Sequence, residues 1–508
     1  MSQTLAAPPP THVRRQAPPR AALVAVAAVA LAGLVARVVL LHSSLGALDS
    51  DEAVVGLMAQ AIRHGHLRAL YWGQSYGGTI EPALAAVVFA VAGPSTTALK
   101  AVPIALSAVA ALLTWRVGLR VANARTAVVA GLLVWIWPGA YVWWSAKERG
   151  FYWACLCLSL AVVLVALQIG QEPRSTGRAA LARWALLGLC TGLGFWESPQ
   201  VLFAVVPAAV WLLAFHWRRC WPGVLAAVPT AVLGALPWLY WNVLHRWKGL
   251  HGEPVLVKGG YASHLRVFGR AGLPTVLGLR VAYTQAWLAP RWHRELYAIA
   301  LAVMVVGAVR LGRRGALVVM VLVAFPFIHA AFPVAGYVGE GRYLLFLLPW
   351  AALAIASAAW RWEVSVLVLA VAMVLSVVGL RDMRGATSPF VAGTPVPARM
   401  APLEQLLTAH GITRAWADYW IAYRVDFDTA GHVIVAPTTD SRFPPYVVAV
   451  GSARTPAAVF LRGTRTEAAF VAGLATRGIA AQRFVSGPWA VYVPARPVPP
   501  DTIPGAFP

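Results

Sequence analysis

The sequence predicts a polytopic α-helical membrane protein, with about 11 transmembrane helices and a small extracytoplasmic α/β domain at its C-terminal end. Three observations carry this expectation. The 508 residues are 59% hydrophobic and only 12% charged, with a mean hydropathy of +0.67. Apolar runs long enough to cross a bilayer recur along the chain. After residue 380 the pattern changes to short strand-like segments alternating with helix. Such a length would suit about three soluble domains, a class this composition excludes. The net charge of +23 does not point to nucleic acid, because the basic residues come in short clusters between apolar runs. That is the distribution of the positive-inside rule.

The first segment, MSQTLAAPPPTHVRRQAPPR, is Pro-rich and basic, which predicts a disordered cytoplasmic tail over residues 1–21. The apolar run behind it exceeds the core of a cleaved signal peptide and lacks a clear small-residue cleavage site, so it reads as an uncleaved first span. The expected spans are 22–41, 98–118, 126–142, 150–168, 184–197, 200–216, 222–241, 295–310, 315–332, 343–360 and 363–380. With the N-terminus inside, the inner loops hold Arg116, Arg120 and Arg125, then Arg174, Arg178 and Arg183, then Arg218 and Arg219, then Arg313 and Arg314, then Arg361. Every short inner loop is therefore basic, which independently supports the count. Cys155, Cys157, Cys190 and Cys220 fall in or beside spans and imply no disulfide framework.

Residues 22–380 form the expected membrane domain, with long outer loops at 42–97 and 242–294. The first loop holds a helical stretch from Glu52 to Arg63, the turn GQSYGG, and an apolar piece from Ala83 to Ala92. That piece is too short to span and reads as an interfacial helix. The second loop carries cations suited to anionic lipid head groups. An odd number of spans leaves residues 381–508 outside. There, LEQLLTAHG reads as a helix, and strands are expected at Ala415–Trp420, His432–Val435, Tyr446–Val450, Ala458–Leu461 and Ala490–Val493.

Charge is spent unevenly. Of the eleven acidic residues before position 381, eight lie in or near outer segments: Asp49, Asp51, Glu52, Glu81, Glu148, Glu197, Glu253 and Glu340. Acidic residues feel little topological pressure, so this bias has another cause. The short outer turn WWSAKERGFYW also keeps Lys147 and Arg149 around Glu148, and GYVGEGRYLLFLLP keeps Arg342 beside Glu340. Carboxylates and cations on one face are what a lipid-phosphate-linked donor requires. The carboxylate deprotonates an acceptor hydroxyl, and the cations hold the leaving phosphate. Each feature also has a plain structural reading. Asp49, Asp51 and Glu52 suit a helix start, Lys147 to Arg149 a local ion pair, and Arg342 with Glu340 a structural pair. Arg37 in the first span must face the bundle or reach the interface. Trp72 and Tyr76 are sugar-stacking or membrane-belt aromatics.

LDSDEAVVGLMAQ after the first span, WGQSYGGTIEPALAAVVFAVAGPS, WWSAKERGFYW and GRYLLFLLP occur in an order that resembles the GT-C class of membrane glycosyltransferases. The similarity is to its bacterial protein mannosyltransferase-like and lipid A aminoarabinose or galacturonic acid transferase-like members. TRAWADYWIAYRVDF and RFPPYVVAV resemble outer domains of some actinobacterial members. The resemblance implies a GT-C fold and inverting transfer of a sugar from a polyprenyl-phosphate carrier to a lipid, protein or cell-envelope glycan acceptor. It also implies a multi-pass plasma-membrane location with the chemistry on the outer face. By position it places the catalytic carboxylates at Asp51, Asp49 and Glu52, with Asp51 as general base. Donor phosphate or sugar binding falls on Lys147, Glu148, Arg149, Arg342 and Tyr343. This chain has Glu148 where relatives carry an Asp. Asp49, Asp51 and Glu52 are hard ligands suited to a divalent Mg, Mn or Ca ion, without forming a specific metal motif. The alternative is a polytopic transporter or lipid flippase, which calls for inverted halves and mid-membrane ionisable residues.

Overall fold

The computed structural model describes residues 20–171, 177–251 and 259–507. The expected tail lies outside the described residues except for its last two positions, which begin the first helix; Arg174 and Glu253 lie outside as well. The chain opens with α1 (Arg20–Leu41), α2 (Ser50–Arg63), α3 (Ile80–Ala92), α4 (Thr96–Val121), α5 (Ala124–Ile136), α6 (Gly139–Trp144) and α7 (Tyr152–Gln171). It continues through α8 (Arg178–Glu197), α9 (Leu202–Leu244), the short α10 (Tyr261–Val267) and α11 (Leu273–Val276), then α12 (His293–Leu311), α13 (Ala316–Ala330), α14 (Leu348–Ala358) and α15 (Trp362–Asp382).

Each of the eleven apolar runs folds as helix, but among the described residues eight helical stretches are long and apolar enough to cross a membrane. The three that fall short have visible causes. The run at 126–142 is interrupted at Pro138, which lacks a backbone N–H and pushes Trp137 to extended geometry (φ −147°, ψ 153°), so α5 and α6 are separate pieces. The run at 343–360 begins as a 3-10 segment, Arg342–Leu347, leaving α14 only 11 residues. The third, α12, carries Arg294, Glu295 and Arg310. The runs at 200–216 and 222–241 belong to one 43-residue helix, α9, bent where His216 leaves helical geometry (φ −138°). The piece expected to lie too short to span is α3, 13 residues long, or about 20 Å at 1.5 Å per residue against a ~30 Å hydrocarbon core.

Small residues let the long helices approach. A Cβ on Gly188 or Gly192 of α8 would come within 2.0 Å of the Ala227 or Ala231 carbonyl oxygen of α9. This is the small-xxx-small packing of helices in lipid. Arg37 faces the bundle: it donates to Gly33 O at 2.8 Å and stacks 3.5 Å over the Trp135 ring.

Beyond α15 a two-stranded hairpin, β1 (Phe390–Val391) with β2 (Thr394–Pro395), leads into a second body. It contains α16 (Ala401–Ala409), β3 (Arg414–Ala417), α17 (Tyr419–Asp428), β4 (Ile434–Pro437), α18 (Pro444–Gly451), β5 (Ala457–Leu461), α19 (Arg465–Thr476), β6 (Ala481–Ser486) and β7 (Trp489–Pro494). The sheet order is β4-β3-β5-β7-β6, with β3 parallel to β4 and β5, and β7 antiparallel to β5 and β6. The strand expected at Tyr446–Val450 is the helix α18, because Pro444 and Pro445 fill its first turn with φ already set for helix. The strand expected at Ala415–Trp420 stops at Ala417, where Asp418 caps α17 by accepting from Trp420 N at 2.8 Å. The amphipathic α19 and the edge strand β6 were not expected.

The sheet domain docks onto α2. Gly56 of α2 admits the Phe427 ring of α17, which a Cβ there would meet at 2.3 Å. Trp72 stacks on Phe443 with ring centroids 4.1 Å apart and planes 18° from parallel. That contact occupies the Trp72 face expected to meet a sugar.

Candidate active site

The site begins with the start of α2. Asp49 is its N-cap, and a reciprocal capping box ties it to Glu52: Glu52 N donates to Asp49 Oδ1 and Asp49 N donates to Glu52 Oε2, each at 3.2 Å. The capping reading of the acidic trio therefore holds for Asp49 and Glu52. Capping fixes the turn, and the turn aims Asp51.

Glu52 is fully buried. A buried carboxylate survives only with charge and hydrogen-bond partners, and it has both. Lys100 of α4 and Lys147 of the turn after α6 each donate to one of its oxygens, and Glu148 N donates to Oε1 at 3.0 Å. The lysines are completed by carbonyls, Lys100 to Ala146 O at 3.0 Å and Lys147 to Ala47 O at 2.8 Å. Lys147 also meets Asp49 Oδ2 at 3.0 Å.

Arg149 is the next layer outward. Its guanidinium holds both Asp49 oxygens at 2.8 Å and Asp51 Oδ2 at 2.8 Å. Burial alone would raise the Asp49 carboxyl, but Arg149, then Lys147, override it and hold it well below the usual carboxylate range. The same pairing raises Arg149 against the opposing effect of its burial. Asp51 is the most open of the trio, with 23% of its side chain exposed. Its Oδ1 accepts from the Tyr419 hydroxyl at 2.5 Å, and its backbone carbonyl from the Tyr71 hydroxyl at 2.9 Å.

Asp51 opens into a cleft of about 700 Å³ between the membrane body and the sheet domain. Across it stands Arg342, 3.3 Å from Glu340 but off hydrogen-bonding alignment. Glu340 is engaged by the Tyr337 hydroxyl at 2.5 Å. The Arg342 guanidinium lies 4.9 Å over the Tyr343 ring, and that ring is itself buried and edge-on to Tyr152 at 6.0 Å. From the sheet domain, Asp418, Tyr419 and Trp420 follow β3, and Asp440 and Arg442 follow β4. The cleft thus lies outside the carboxyl ends of two parallel strands, the edge at which open α/β sheets bind ligands.

The structure brings Asp49, Asp51, Arg149 and Arg342 to this cleft, and corrects four expectations. Lys147 is not a phosphate ligand on the cleft wall but a buried partner of Glu52 and Asp49. Glu52 is sealed beneath the site and cannot reach a ligand. Glu148 turns away from its neighbours and from the cleft: Gly150 N donates to its Oε1 at 2.9 Å, and it faces the buried Glu81. Burial, then the Glu81 carboxylate, push its carboxyl far above the usual range. Tyr343 supports Arg342 from below rather than lining the cleft. The trio does not fit a divalent ion. Three cations already neutralise it, and no group of three or more His, Cys, Asp or Glu among the described residues is arranged to hold a metal.

Sequence reasoning missed Lys100, Tyr419 and Arg442. Lys100 sits in the apolar run of α4, where an ionisable residue signals a buried partner. Tyr419 and Arg442 lie in the two C-terminal segments already singled out by resemblance, but nothing in their spacing ties them to Asp51.

No protein-family model matches the chain. A stretch of 182 residues is 26% identical to an undecaprenyl phosphate-alpha-4-amino-4-deoxy-L-arabinose arabinosyl transferase of Pseudomonas fluorescens, covering 28% of this chain and 32% of that protein. The sequence match therefore spans about a third of that relative's length. In three dimensions the likeness is broader. ArnT from Cupriavidus metallidurans bound to undecaprenyl phosphate superimposes with a TM-score of 0.62 at 13% identity, covering 96% of this chain and 99% of that one. Its apo state gives 0.61 at 12%, covering 93% and 98%. The oligosaccharyltransferase of Archaeoglobus fulgidus in complex with Zn and sulfate gives 0.51 at 13%, covering 89% and 69%. A transmembrane helical body with a small C-terminal sheet domain, superimposable on ArnT over nearly the full length of both chains, gives this chain the GT-C fold.

Proposed function

We propose that this protein is an inverting glycosyltransferase. It takes a sugar from a polyprenyl-phosphate donor and transfers it to a hydroxyl of a lipid, protein or cell-envelope glycan on the extracytoplasmic face. The observation that carries the reading is the cleft that the Asp51 carboxylate and the Arg342 guanidinium both line. Undecaprenyl phosphate bound to the similarly folded ArnT, and the polyprenyl-linked aminoarabinose named for the sequence relative, support the donor class.

The chemistry follows from which groups are already spoken for. Arg149 is committed to Asp49 and Asp51 through three hydrogen bonds. Among the described residues Arg342 has one carboxylate contact, the oblique one with Glu340, and besides its stacking on the Tyr343 ring it keeps donors for a phosphate. Each oxygen of Asp51 has two lone pairs, and Tyr419 and Arg149 each take one. A lone pair therefore remains to accept the proton of an acceptor hydroxyl. As that proton moves to Asp51, the acceptor oxygen attacks the anomeric carbon from the face opposite the phosphate. The bond to the phosphate oxygen breaks, and polyprenyl phosphate leaves with the electron pair, its charge met by Arg342. The lipid tail would lie along the apolar body and the acceptor would enter from the outer cleft.

The test is transfer in membranes containing the full-length protein, supplied in turn with undecaprenyl phosphate carrying 4-amino-4-deoxy-L-arabinose, galacturonic acid or mannose. Wild type should move one of these sugars to an extractable acceptor, and Asp51→Asn should not. Transfer undiminished in Asp51→Asn removes Asp51 from the base role. No transfer, together with substrate-dependent flux across proteoliposomes, favours a transporter.

A further inference from the structure

Asp51 lies in the first turn of a helix belonging to the membrane body, yet one of its two carboxylate oxygens is held from the other end of the chain. The Tyr419 hydroxyl donates to Asp51 Oδ1 at 2.5 Å, across 368 residues of sequence. The contact is doubled through the backbone, since the Ser50 hydroxyl donates to Tyr419 O at 2.6 Å. Tyr419 is the first residue of α17, and the capping of that helix by Asp418 fixes where the phenol points. The Arg442 guanidinium, from the loop after β4, sits 5.8 Å over the ring of the same phenol. Burial, then the Asp51 carboxylate, push the phenol well above its ordinary value, so it stands as the donor to Asp51.

From this geometry we infer that Tyr419 is a positioning residue for Asp51, so that the C-terminal domain completes the reactive carboxylate of the membrane body. The inference rests on the transferase reading only for what Asp51 then does. With Arg149 on Oδ2 and Tyr419 on Oδ1, the carboxylate plane is fixed by two donors from two bodies. Arg149 alone cannot set it, because its guanidinium also follows Asp49. The two donors leave one lone pair unclaimed on each Asp51 oxygen, and Asp51 lines the cleft. Undocking the domain would therefore leave a carboxylate with one donor, free to turn about its side-chain bonds. The transferring group would then operate only with the domain seated.

The experiment uses the full-length protein in detergent and compares wild type, Tyr419→Phe and Ser50→Ala. Tyr419→Phe removes one oxygen and keeps the ring packing against Trp420 and Tyr423, whose centroids lie 5.1 and 5.5 Å away. Ser50→Ala weakens docking at the same place and keeps the phenol. A water-soluble carbodiimide labels protonated carboxyls, and peptide mass spectrometry gives the pH at which Asp51 is half-labelled. Tyr419→Phe should move that midpoint up by about one pH unit, the scale of a lost hydrogen bond to a charged group. Ser50→Ala should not move it. Where transfer is measured, Tyr419→Phe should lower kcat roughly tenfold at an unchanged KM for the donor. An unmoved midpoint in Tyr419→Phe, or an equal shift in Ser50→Ala, overturns the inference. A shifted midpoint in a protein that shows no transfer and substrate-dependent flux across proteoliposomes upholds the hold of Tyr419 on Asp51 and overturns the transferase reading.

Discussion

Replacing Glu52 by Gln tests how the whole site is held. Three acids, Asp49, Asp51 and Glu52, face three bases, Lys100, Lys147 and Arg149, in one connected network. The network is neutral, and its inner half is fully buried. Glu52→Gln keeps the size of the side chain but leaves a net positive charge between two buried lysines. Removing one partner of a buried pair typically costs about 3–5 kcal/mol, whereas removing both together is often near neutral. The single variant should therefore lose about that much stability, and Lys100→Met added to it should recover most of the loss. Lys147 keeps Asp49 as a partner in the double variant, which is why Lys100 is the residue to remove. Thermal unfolding of the four proteins, wild type, both singles and the double, supplies the cycle. A Glu52→Gln protein that melts with wild type would refute the account of the buried network. So would a double variant in which the losses simply add. Because Asp49 N donates to Glu52, the single variant should also loosen the start of α2 and reduce transfer, without either residue touching substrate.

Other outcomes follow from the same geometry. Arg342→Gln should raise the donor KM by an order of magnitude or more, about one charged hydrogen bond, and Arg342→Lys should restore part of it. An unchanged donor KM in Arg342→Gln would remove Arg342 from the phosphate. Asp51→Asn should lower kcat by roughly 10²–10⁴-fold, the usual weight of a general base, in single-turnover assays. Glu148→Gln should melt with wild type, since burial and Glu81 already push that carboxyl far above the usual range; a large loss would mean that it carries charge. Burial, then Asp428, raise Glu404 in α16 to about 7. A carboxyl raised on folding stabilises below its unfolded value, near 4.5, and that contribution is lost as pH rises through the folded value. The melting temperature should therefore fall between pH 5 and 8, and Glu404→Gln should flatten that fall.

The helical body was legible because apolar runs and basic clusters are local signals, and every run is helical over most of its length. The count of bilayer-length helices was less legible, since it depended on particular residues: Pro138 ends a helix inside an unbroken apolar run, and three charges mark α12. In the sheet domain, Tyr446–Val450 has the composition of a strand, and only the two prolines before it indicate a helix start. Among the site residues, Asp49, Asp51 and Glu52 were visible as a cluster, but not their division into a cap, an exposed carboxylate and a buried anchor. That division is set by Lys100, 48 residues on, and by Arg149, about 100 residues on. Neither spacing carries a period that sequence alone can read.

The basic residues illustrate why proximity in sequence misled. Lys147, Glu148 and Arg149 are consecutive and suggest one local ion pair. In a tight turn, successive side chains point in different directions, and here they point to three places: Lys147 inward to Glu52, Glu148 sideways to Glu81, and Arg149 outward to Asp49 and Asp51. Two of the three cations of the network are thereby spent on structure, and the third is spent on holding the trio charged. A donor phosphate must find its countercharge elsewhere in the cleft. Arg342 on the membrane side has only an oblique carboxylate contact, while Arg442 on the domain side is engaged with Tyr419. The assignment of the phosphate to Arg342 follows from that difference in occupancy. It carries a consequence for the two variants together: Arg342→Gln should act on donor KM, whereas Arg442→Gln, which acts through Tyr419, should move the titration of Asp51 and leave donor KM alone. Equal effects of both variants on donor KM would show that the phosphate bridges the two bodies.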